Sequence, residues 1–494
     1  MTHQQAYTQA LNLYQAGEPQ EALKLTMQLA RQARRHPPTR LVHGMALAAC
    51  GRFVEAAEEI REAGELMDAA PDQEATEVRA LRTRSRIELA RALAEIGEAE
   101  AALVEADEAL KPDEFNAQAV AAKARAQVAA DDFAGAAETL SALLIGDATD
   151  PEIALAASEV AVRSDAITAE AVIENMEALT KQVGHPTRLL RPMLRALGLM
   201  LDRVGRHDDA WVALRRGTNL SVAEFDPRAF GQAVATITQH WTASGIKTVK
   251  RPTAPSPALL VVGLAGSRTD AVGRIIGAHP EGGWAGQTLT LSQLAERFLD
   301  AKIVGGVSLV DSPVKVRGKA CVEAAGVYEK RLRKRSAGED LRVIADTNPD
   351  NATSLGIASL VAPGLKVICV RREAVAASFE AHALESTPAE PYACDQMTLA
   401  AHAFGTNRLL EHWKEVFEDG SLGASWMDVE FDALRTDPAG TARAIVAFAG
   451  LGWDDACGAA AAREAALPVL DVEPYRGHIK SLISGLGPLA AARA

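Results

Sequence analysis

The sequence predicts an α + α/β protein, in which an N-terminal solenoid of paired helices precedes an α/β domain built on a parallel sheet. Alanine is abundant and aromatic residues make up only 4% of the 494 residues, which favours close-packed helices. A helix–turn–helix pattern recurs through residues 1–242. After a proline-rich stretch, short apolar runs alternate with helical segments, as expected for an α/β domain over residues 258–494.

The repeating unit of the first half is an alanine-rich helix, a short turn and a second alanine-rich helix. The turns are centred on Gly17, Gly51, Gly97, Asp131, Asp165 and Gly205. The first and second turns are 34 positions apart, as are the third and fourth and the fourth and fifth. Glycine at the turn permits a left-handed helix end, and the alanines that follow let the second helix approach the first.

This spacing resembles the tetratricopeptide repeat, with small and apolar residues at that motif's characteristic positions, namely Gly44, Gly51, Ala56 and Ile60. An unrelated alanine-rich helical bundle is the alternative. Stacked helix pairs form a curved surface, so the resemblance implies that residues 1–242 bind a protein or peptide partner on a concave face. The repeats are expected to bind the partner, and any catalytic chemistry is expected in the second half of the chain.

Residues 243–257, ASGIKTVKRPTAPSP, are polar and basic with three prolines, which is typical of a linker. Beyond them, the pattern predicts a first strand and turn, then a helix that ends near the His-Pro pair at 279–280. Strands are predicted within 258–266, 341–349, 365–373 and 422–434.

Ligands of open parallel sheets bind beyond the carboxyl ends of the strands. The expected binding edge therefore includes Ser267, Asp346, Arg371 and Arg372. The first strand–turn–helix unit also presents backbone N–H groups at a helix N-terminus, which suits an anion. Its turn lacks the GK[ST] of a Walker A loop, so we do not expect an ATPase or a kinase.

Composition argues against several classes of protein. A net charge of −13 gives no global attraction to nucleic acid or to an anionic membrane. No stretch approaches the roughly 20 apolar residues that span a bilayer. The five cysteines are isolated, without metal-ligand spacing, which indicates reduced thiols and no metal site. With no signal-like N-terminus, the sequence predicts a cytoplasmic protein.

Residues 258 to about 455 resemble a bacterial sulfotransferase domain of the tetratricopeptide-linked kind, similar to tyrosylprotein sulfotransferases. The stretch VVGLAGSRTDAVGRIIGAHP stands where the family has a VG-x-P-R-S-G-T-T loop and a helix ending in HP. IADTNPDN stands for TDK-x-P-x-N, and VEFDALRTDPAGTARAIVAFAGLGW parallels the Y-E-D-L segment. The resemblance implies a P-loop-like fold and 3′-phosphoadenosine 5′-phosphosulfate (PAPS) as cofactor, with its product 3′-phosphoadenosine 5′-phosphate (PAP) bound in the same place.

The resemblance also assigns the cofactor site. Arg372 matches the arginine expected to hold the 3′-phosphate, and the serine eight positions later is replaced by Glu380, so that Ser378 fits only with a shift of two. The cofactor-binding residues implied in this way are Gly263, Ser267, Arg268, Thr269, Arg372 and Ser378.

The positions that the resemblance marks as chemical are substituted. The arginine before the serine of the loop is Gly266, the glycine after it is Arg268 and the second threonine is Asp270. The glutamate that serves as base is Gln287, and the lysine of the aspartate–lysine pair is Thr347. An aspartate facing a phosphate would repel it. Arg268 is the candidate replacement for the lost arginine, and the base is left unassigned.

Three histidines are candidate replacement bases, and the basic run at 330–335 is a candidate for steering an anion. The histidines are His382, His402 and His412. We interpret the domain as a degenerate sulfotransferase that serves binding, regulation or an altered transfer. One alternative is an active PAPS-dependent sulfotransferase acting on a protein or polymer hydroxyl, and another is a transferase that uses a different phosphorylated donor, such as a nucleotide sugar.

Overall fold

The computed structural model of the protein describes residues 2–69, 76–144, 150–220, 224–288, 290–336, 338, 340–385 and 390–491. The chain divides into two compact units, residues 1–220 and 221–494. In the described part of the chain, the first unit contains only helices and the second contains all the strands. This is the α + α/β organisation that the sequence predicts. Among the described residues, no helix is both long enough and apolar enough to cross a bilayer.

In the part of the first unit that the structure describes, the helices form six consecutive pairs. Their helices are α1 (His3–Ala16), α2 (Pro19–Gln32), α3 (Pro37–Ala49), α4 (Phe53–Asp68), α5 (Thr76–Glu95), α6 (Ala99–Leu110), α7 (Ala117–Ala129), α8 (Phe133–Ser141), α9 (Pro151–Arg163), α10 (Ala169–Lys181), α11 (Thr187–Arg203) and α12 (His207–Thr218). Each of the six turns predicted from the sequence lies between the two helices of one pair. Five of them contain a residue with positive φ, namely Gly17, Gly51, Gly97, Asp131 and Gly205. The turn at Asp165 differs from the other five, because α9 ends in extended backbone at Ser164 (φ −152°).

Close helix packing explains the small residues of the repeat. A Cβ atom added to Gly44 on α3 would overlap the side chain of Ile60 on α4, and Ala56 is fully buried at the same contact. The last pair repeats the arrangement, because a Cβ on Gly198 of α11 would lie 2.5 Å from Cγ of Leu214 on α12. Glycine at these positions therefore sets the distance between paired helices.

The second unit begins earlier than the boundary at residue 242 that the sequence predicts. Helix α13 (Pro227–His240) packs into its apolar core, and the indole of Trp241 donates a hydrogen bond to the Val310 carbonyl at 2.8 Å. The predicted linker also contains a short helix, α14 (Ala243–Lys247), with Ile246 fully buried. This stretch contains three prolines and three basic residues, which predicted a linker. Its few apolar residues, such as Ile246, were too sparse to indicate a helix packed against the core.

The second unit is built on a five-stranded parallel sheet in the order β2-β5-β1-β6-β7, with a separate antiparallel hairpin, β3–β4. The strands are β1 (Ala258–Gly263), β2 (Gly282–Trp284), β3 (Lys302–Val304), β4 (Val307–Leu309), β5 (Val343–Asp346), β6 (Lys366–Arg371) and β7 (Ser425–Glu430). The four strands predicted from the sequence are β1, β5, β6 and β7, and all are confirmed. The other three were missed because each has only three residues.

Helices cover both faces of this sheet. They are α15 (Thr269–Gly277), α16 (Thr290–Phe298), α17 (Gly318–Arg335), α18 (Leu355–Val361), α19 (Ala374–Glu380), α20 (Gln396–Glu418), α21 (Phe431–Thr436), α22 (Pro438–Ala449), α23 (Asp455–Ala466), α24 (Lys480–Leu486) and α25 (Pro488–Ala491). Successive residues of β1 alternate between the two apolar layers, so all six are buried. The loops that follow β1, β5 and β6 consequently emerge at one edge of the sheet, between the two layers.

Candidate functional site

The turn between β1 and α15 lies at the centre of the carboxyl edge and turns its hydroxyl groups inward. Ser267 is buried, and its Oγ donates a hydrogen bond to the Leu264 carbonyl at 2.6 Å. Thr269 Oγ1 donates to the Thr347 carbonyl at 2.7 Å. A Cβ on Gly263 would lie 2.8 Å from the Val370 carbonyl oxygen of the neighbouring strand. Three of the six predicted cofactor residues are therefore packed into the turn, with both hydroxyls hydrogen-bonded to backbone carbonyls of the protein itself.

Helix α19 lies directly against this turn. Gly266 has a φ of 78°, and a Cβ atom added to it would overlap the carbonyl oxygen of Ala377 on α19. A left-handed conformation favours glycine, and the contact leaves no space for any side chain. The arginine that the resemblance expects at position 266 does not fit this arrangement. Because α19 occupies the space beside this position, it accepts glycine and not arginine.

A carboxylate from α19 binds two arginines at the edge of the turn. Glu380 accepts a hydrogen bond from Arg268 Nε through Oε1, and its Oε2 accepts one from Arg372 Nη2 at 2.9 Å. The side chains of Glu380 and Arg372 are 2% and 4% exposed, and that of Arg268 is 24% exposed. We call these three residues the Glu380 clamp. Both cations that the sequence assigns to cofactor phosphate are thus bound to an internal anion.

The rest of the environment of Arg372 fixes its guanidinium in place. Arg372 Nη1 donates a hydrogen bond to the Gly266 carbonyl, and the guanidinium lies 4.7 Å from the centre of the Phe431 ring. Arg268 also donates to the Pro468 carbonyl at 3.0 Å. Ser378 is buried on α19, and within the described residues its Oγ has no hydrogen-bond partner. Arg268 and Arg372 both reach this edge of the turn, and the carboxylate of Glu380 lies between them.

Three substituted positions are hydrogen-bonded to one another on the other side of the turn. Asp270, in the first turn of α15, accepts from Thr347 Oγ1 and, at 3.1 Å, from the amide of Gln287. Thr347 Oγ1 in turn accepts from the indole of Trp284 at 3.0 Å. We call these four residues the Asp270 network. Burial raises the pKa of Asp270, and the hydrogen bonds from Thr347 and Gln287 and the charges of Arg274 and Arg268 counteract part of that effect.

Asp346 is at the end of β5, as predicted, but it is a structural residue of the fold. Its side chain is fully buried and accepts hydrogen bonds from Thr288 Oγ1 at 3.0 Å and from Asn351 Nδ2 at 2.9 Å. The Tyr328 hydroxyl donates a third at 3.2 Å. Burial raises the pKa of Asp346, although these hydrogen bonds favour its charged form. These hydrogen bonds to Asp346 hold the start of the loop that carries Thr347.

A cavity of about 300 Å³ opens beside the clamp, at the carboxyl ends of β6 and β7. Its lining comprises Leu264, Arg371, Arg372, Ala374, Asn407, Glu411, Lys414, Asp428, Glu430 and Leu489. Arg371, a predicted edge residue, is bound to Glu411 at 2.7 Å and to Asp428 at 3.0 Å, and Lys414 lies 2.6 Å from Asp428. Burial raises the pKa of Asp428, but hydrogen bonds from Lys414 and Trp426 and the charge of Arg371 outweigh it, so the net pKa is lowered.

The three candidate histidines are engaged elsewhere. His382 Nδ1 lies 2.8 Å from the Ala393 carbonyl, and His412 Nε2 lies 2.9 Å from that of Trp241. The ring of His402 stacks on Tyr392 with 3.6 Å between ring centres. Of the basic run at 330–335, Arg335 donates to the Ala285 and Gln287 carbonyls at 3.0 and 3.4 Å. This last contact positions the segment that carries Gln287.

Sequence reasoning missed the clamp and the network as units. It treated Arg268 as a replacement for a lost cation and Glu380 as a lost serine, whereas the structure makes the two residues partners. Opposite charges gained at two positions of the same predicted site were the signal that could have revealed this pairing. The contribution of Trp284 had no sequence signal, because it comes from a segment outside the matched motifs. Phe431 lies within the matched VEFDAL segment, but nothing in that match indicated a contact with Arg372.

Among the described residues, no group of three or more histidine, cysteine or acidic side chains is arranged to hold a metal ion.

Comparison with known proteins identifies the domain. Residues 257–455 match the Sulfotransferase family. The chain is similar in structure to the sulfotransferase STF1 from Mycobacterium tuberculosis (15% identity, TM-score 0.27, covering 72% of this chain and 98% of that one) and to STF9 from Mycobacterium avium (13%, TM-score 0.30, 66% and 95%). It is also similar to the sulfotransferase domain of the Synechococcus PCC 7002 olefin synthase (15%, TM-score 0.29, 42% and 79%). No curated protein matches the chain. The second unit therefore contains a sulfotransferase-family domain.

Proposed function

We propose that this protein binds a protein or peptide partner through its helical unit, and that its sulfotransferase-family domain has lost PAPS chemistry and serves binding or regulation. The observation that supports this most strongly is the Glu380 clamp. In the family that the sequence resembles, an arginine at position 372 and a serine eight residues later hold the 3′-phosphate. Here the residue at the serine position is a glutamate, and its carboxylate is already bound to Arg372.

A phosphate group does not fit the clamp as it stands. A dianion approaching Arg372 would meet the buried carboxylate of Glu380, and charge repulsion at low dielectric is strong. Releasing Glu380 instead would leave a carboxylate buried without its two cations, which is costly. The residues present therefore disfavour binding of PAPS and PAP.

The residues at the positions expected to contact the sulfate end of PAPS are also unsuited to sulfuryl transfer. The Ser267 hydroxyl is bonded to the Leu264 carbonyl, and Gly266 is covered by α19. At the position of the family's base, Gln287 offers an amide, which does not accept a proton at neutral pH. Thr347 supplies no charge where the family has a lysine. Loss of the base, two cations and the open loop together favours a non-catalytic role.

Titration calorimetry of the full chain with PAP tests this proposal. We expect no heat of binding at about 1 mM PAP for the natural sequence, and measurable binding by Glu380→Ser, which releases Arg372 and restores the family's serine. The double variant Glu380→Ser/Arg372→Ala is the matched control and should lose the gained binding. Micromolar binding of PAP by the unaltered chain, abolished in Arg372→Ala, would overturn the proposal.

One observation favours the alternative, an active PAPS-dependent sulfotransferase acting on a protein or polymer hydroxyl. The carboxylate of Asp270 lies 3.1 Å from the Gln287 amide, and burial raises its pKa, as suits a general base. This alternative predicts transfer of labelled sulfate to a hydroxyl acceptor that is lost in Asp270→Asn. A complete absence of transfer under conditions in which the chain is folded counts against it.

A further inference from the structure

The inner helices of the repeat unit bring four arginines to one place. Arg84 and Arg91 lie on the same face of α5, Arg125 is on α7 and Arg188 is on α11. Three of them surround Glu152 at the start of α9, whose Oε2 is 3.3 Å from Arg91 Nη2 and from Arg125 Nη1. Arg84 is linked to this group through Glu88, whose Oε1 lies 3.8 Å from Arg84 Nη2 and 3.6 Å from Arg91 Nη1. Arg188 Nη1 is 3.5 Å from Glu152 Oε1. The guanidinium groups thus converge although they are up to 104 positions apart in sequence.

The first helix pair also contributes to this region. The guanidinium of Arg188 lies 5.2 Å from the centre of the Tyr14 ring on α1, and its Nε donates to Gln15 Oε1 at 3.4 Å. Burial raises the pKa of Tyr14 to about 12, with Glu88 reinforcing that effect and the nearby arginines opposing it. The first helix of the array therefore contacts α11, and the arginines line the inside of the unit.

Positive charge is in excess there, because four arginines are paired with three carboxylates. Glu88 and Glu152 have side chains only 8% and 6% exposed, whereas the third, Glu159, lies 2.9 Å from Arg125 Nε and is 44% exposed. The arginine side chains keep between 17% (Arg91) and 38% (Arg84) of their surface exposed.

We propose that this arginine cluster binds consecutive carboxylates of an acidic peptide segment. The proposal rests on the proposed function in one respect, since it takes the helical unit to be the part that binds a partner. Arg84 and Arg91 are separated by seven residues of helix, which is about 10 Å along the axis. A single small anion does not span that distance. An extended chain places every second side chain about 7 Å apart on one side, so a run of glutamates or aspartates matches the spacing.

The test is fluorescence anisotropy of the full chain with a fluorescein-labelled hexaglutamate peptide at low salt. We expect saturable binding that weakens at least about fivefold when salt rises from about 50 to 300 mM, because exposed charges are screened. Arg84→Gln, which leaves the contacts of Glu152 intact, should weaken binding about threefold or more, and Arg84→Gln/Arg188→Gln further still. Arg31→Gln, on the exposed side of α2, is the matched control and should bind like the natural chain.

Circular dichroism confirms that each variant is folded before its binding is compared. Equal binding by the natural chain and the double variant, or no binding at low salt, would overturn the proposal. So would competition by inorganic phosphate at the concentration of the peptide, because the site would then take a small anion. PAP calorimetry concerns the other unit, so failure there and failure here are distinguishable.

Discussion

Arg372 and Glu380 form a buried ion pair at the end of β6, with 2.9 Å between Nη2 and Oε2. The second oxygen of the same carboxylate binds Arg268, so one anion serves two cations. A buried carboxylate with a single partner would be costly, and the second arginine offsets part of that cost. The two residues that differ from the family at positions 268 and 380 therefore depend on each other.

The closure of the loop by α19 predicts an unequal response to two glycine substitutions. Gly266→Ala should lower the free energy of unfolding by about 2–5 kcal/mol, because the new Cβ overlaps the Ala377 carbonyl and the left-handed backbone disfavours alanine. Gly423→Ala is the matched control. It has a φ of 68° with no atom within 4 Å of the added Cβ, so it should cost only about 1 kcal/mol.

Urea unfolding followed by tryptophan fluorescence measures both variants under identical conditions. If the two substitutions cost the same, α19 does not lie against the loop as described, and the space for a side chain at position 266 is open after all.

The Asp270 network predicts that the family's base cannot simply be restored. In Gln287→Glu a second carboxylate would stand about 3 Å from that of Asp270, and like charges at that distance repel. Position 287 is exposed, so the penalty in unfolding free energy at pH 7 should be small, about 1 kcal/mol. Repulsion raises the carboxyl pKa further in the folded state, and the penalty should therefore disappear as pH falls towards 4.

The double variant Asp270→Thr/Gln287→Glu is the control, since it restores the family's residue at both positions. Its unfolding free energy at pH 7 should exceed the value that adding the two single effects gives. Strictly additive effects in this double-mutant cycle would show that the two side chains do not interact.

The strands and repeat turns could be predicted because they depend on local patterns. Short apolar runs identified β1, β5 and β6, a mixed segment within 422–434 identified β7, and the 34-residue interval identified turns between paired helices. The position of α13 could not be predicted in this way. Its helical pattern continues that of the repeats, and only its packing against the core of the second unit assigns it there.

The sheet edge at which the candidate site lies could be predicted, but the contacts among its side chains could not. Loop order brought Ser267 and Arg372 to the carboxyl edge, since strands of a parallel sheet end together. The direction of each side chain depends on contacts made across more than a hundred residues, such as that between Arg268 and Glu380. In a single sequence, such a contact is visible only as two opposite charges at positions far apart. When each position is compared with the family separately, the two changes are not recognised as partners.

Glu152 should carry much of the acid sensitivity of the helical unit. Burial opposes its ionisation, but the charges of Arg91, Arg125 and Arg188 outweigh burial and lower its pKa from 4.5 to about 2. A carboxyl whose pKa is lower in the folded chain stabilises the fold at pH above 4.5. That contribution, on the order of 3 kcal/mol, is lost as pH falls from about 5 to 2.

Glu152→Gln should therefore lower the free energy of unfolding at pH 7 by about 3 kcal/mol and flatten its dependence on pH between 5 and 2. The exposed Glu58 on α4 offers the matched control, and Glu58→Gln should leave both quantities within about 0.5 kcal/mol of the natural chain. Circular dichroism at a helical wavelength, recorded in urea at pH 7, 5 and 3, measures the two variants together. If Glu152→Gln kept the full pH dependence of the natural chain, the three arginines would not be stabilising this carboxylate, and the acid sensitivity would have to arise elsewhere in the unit.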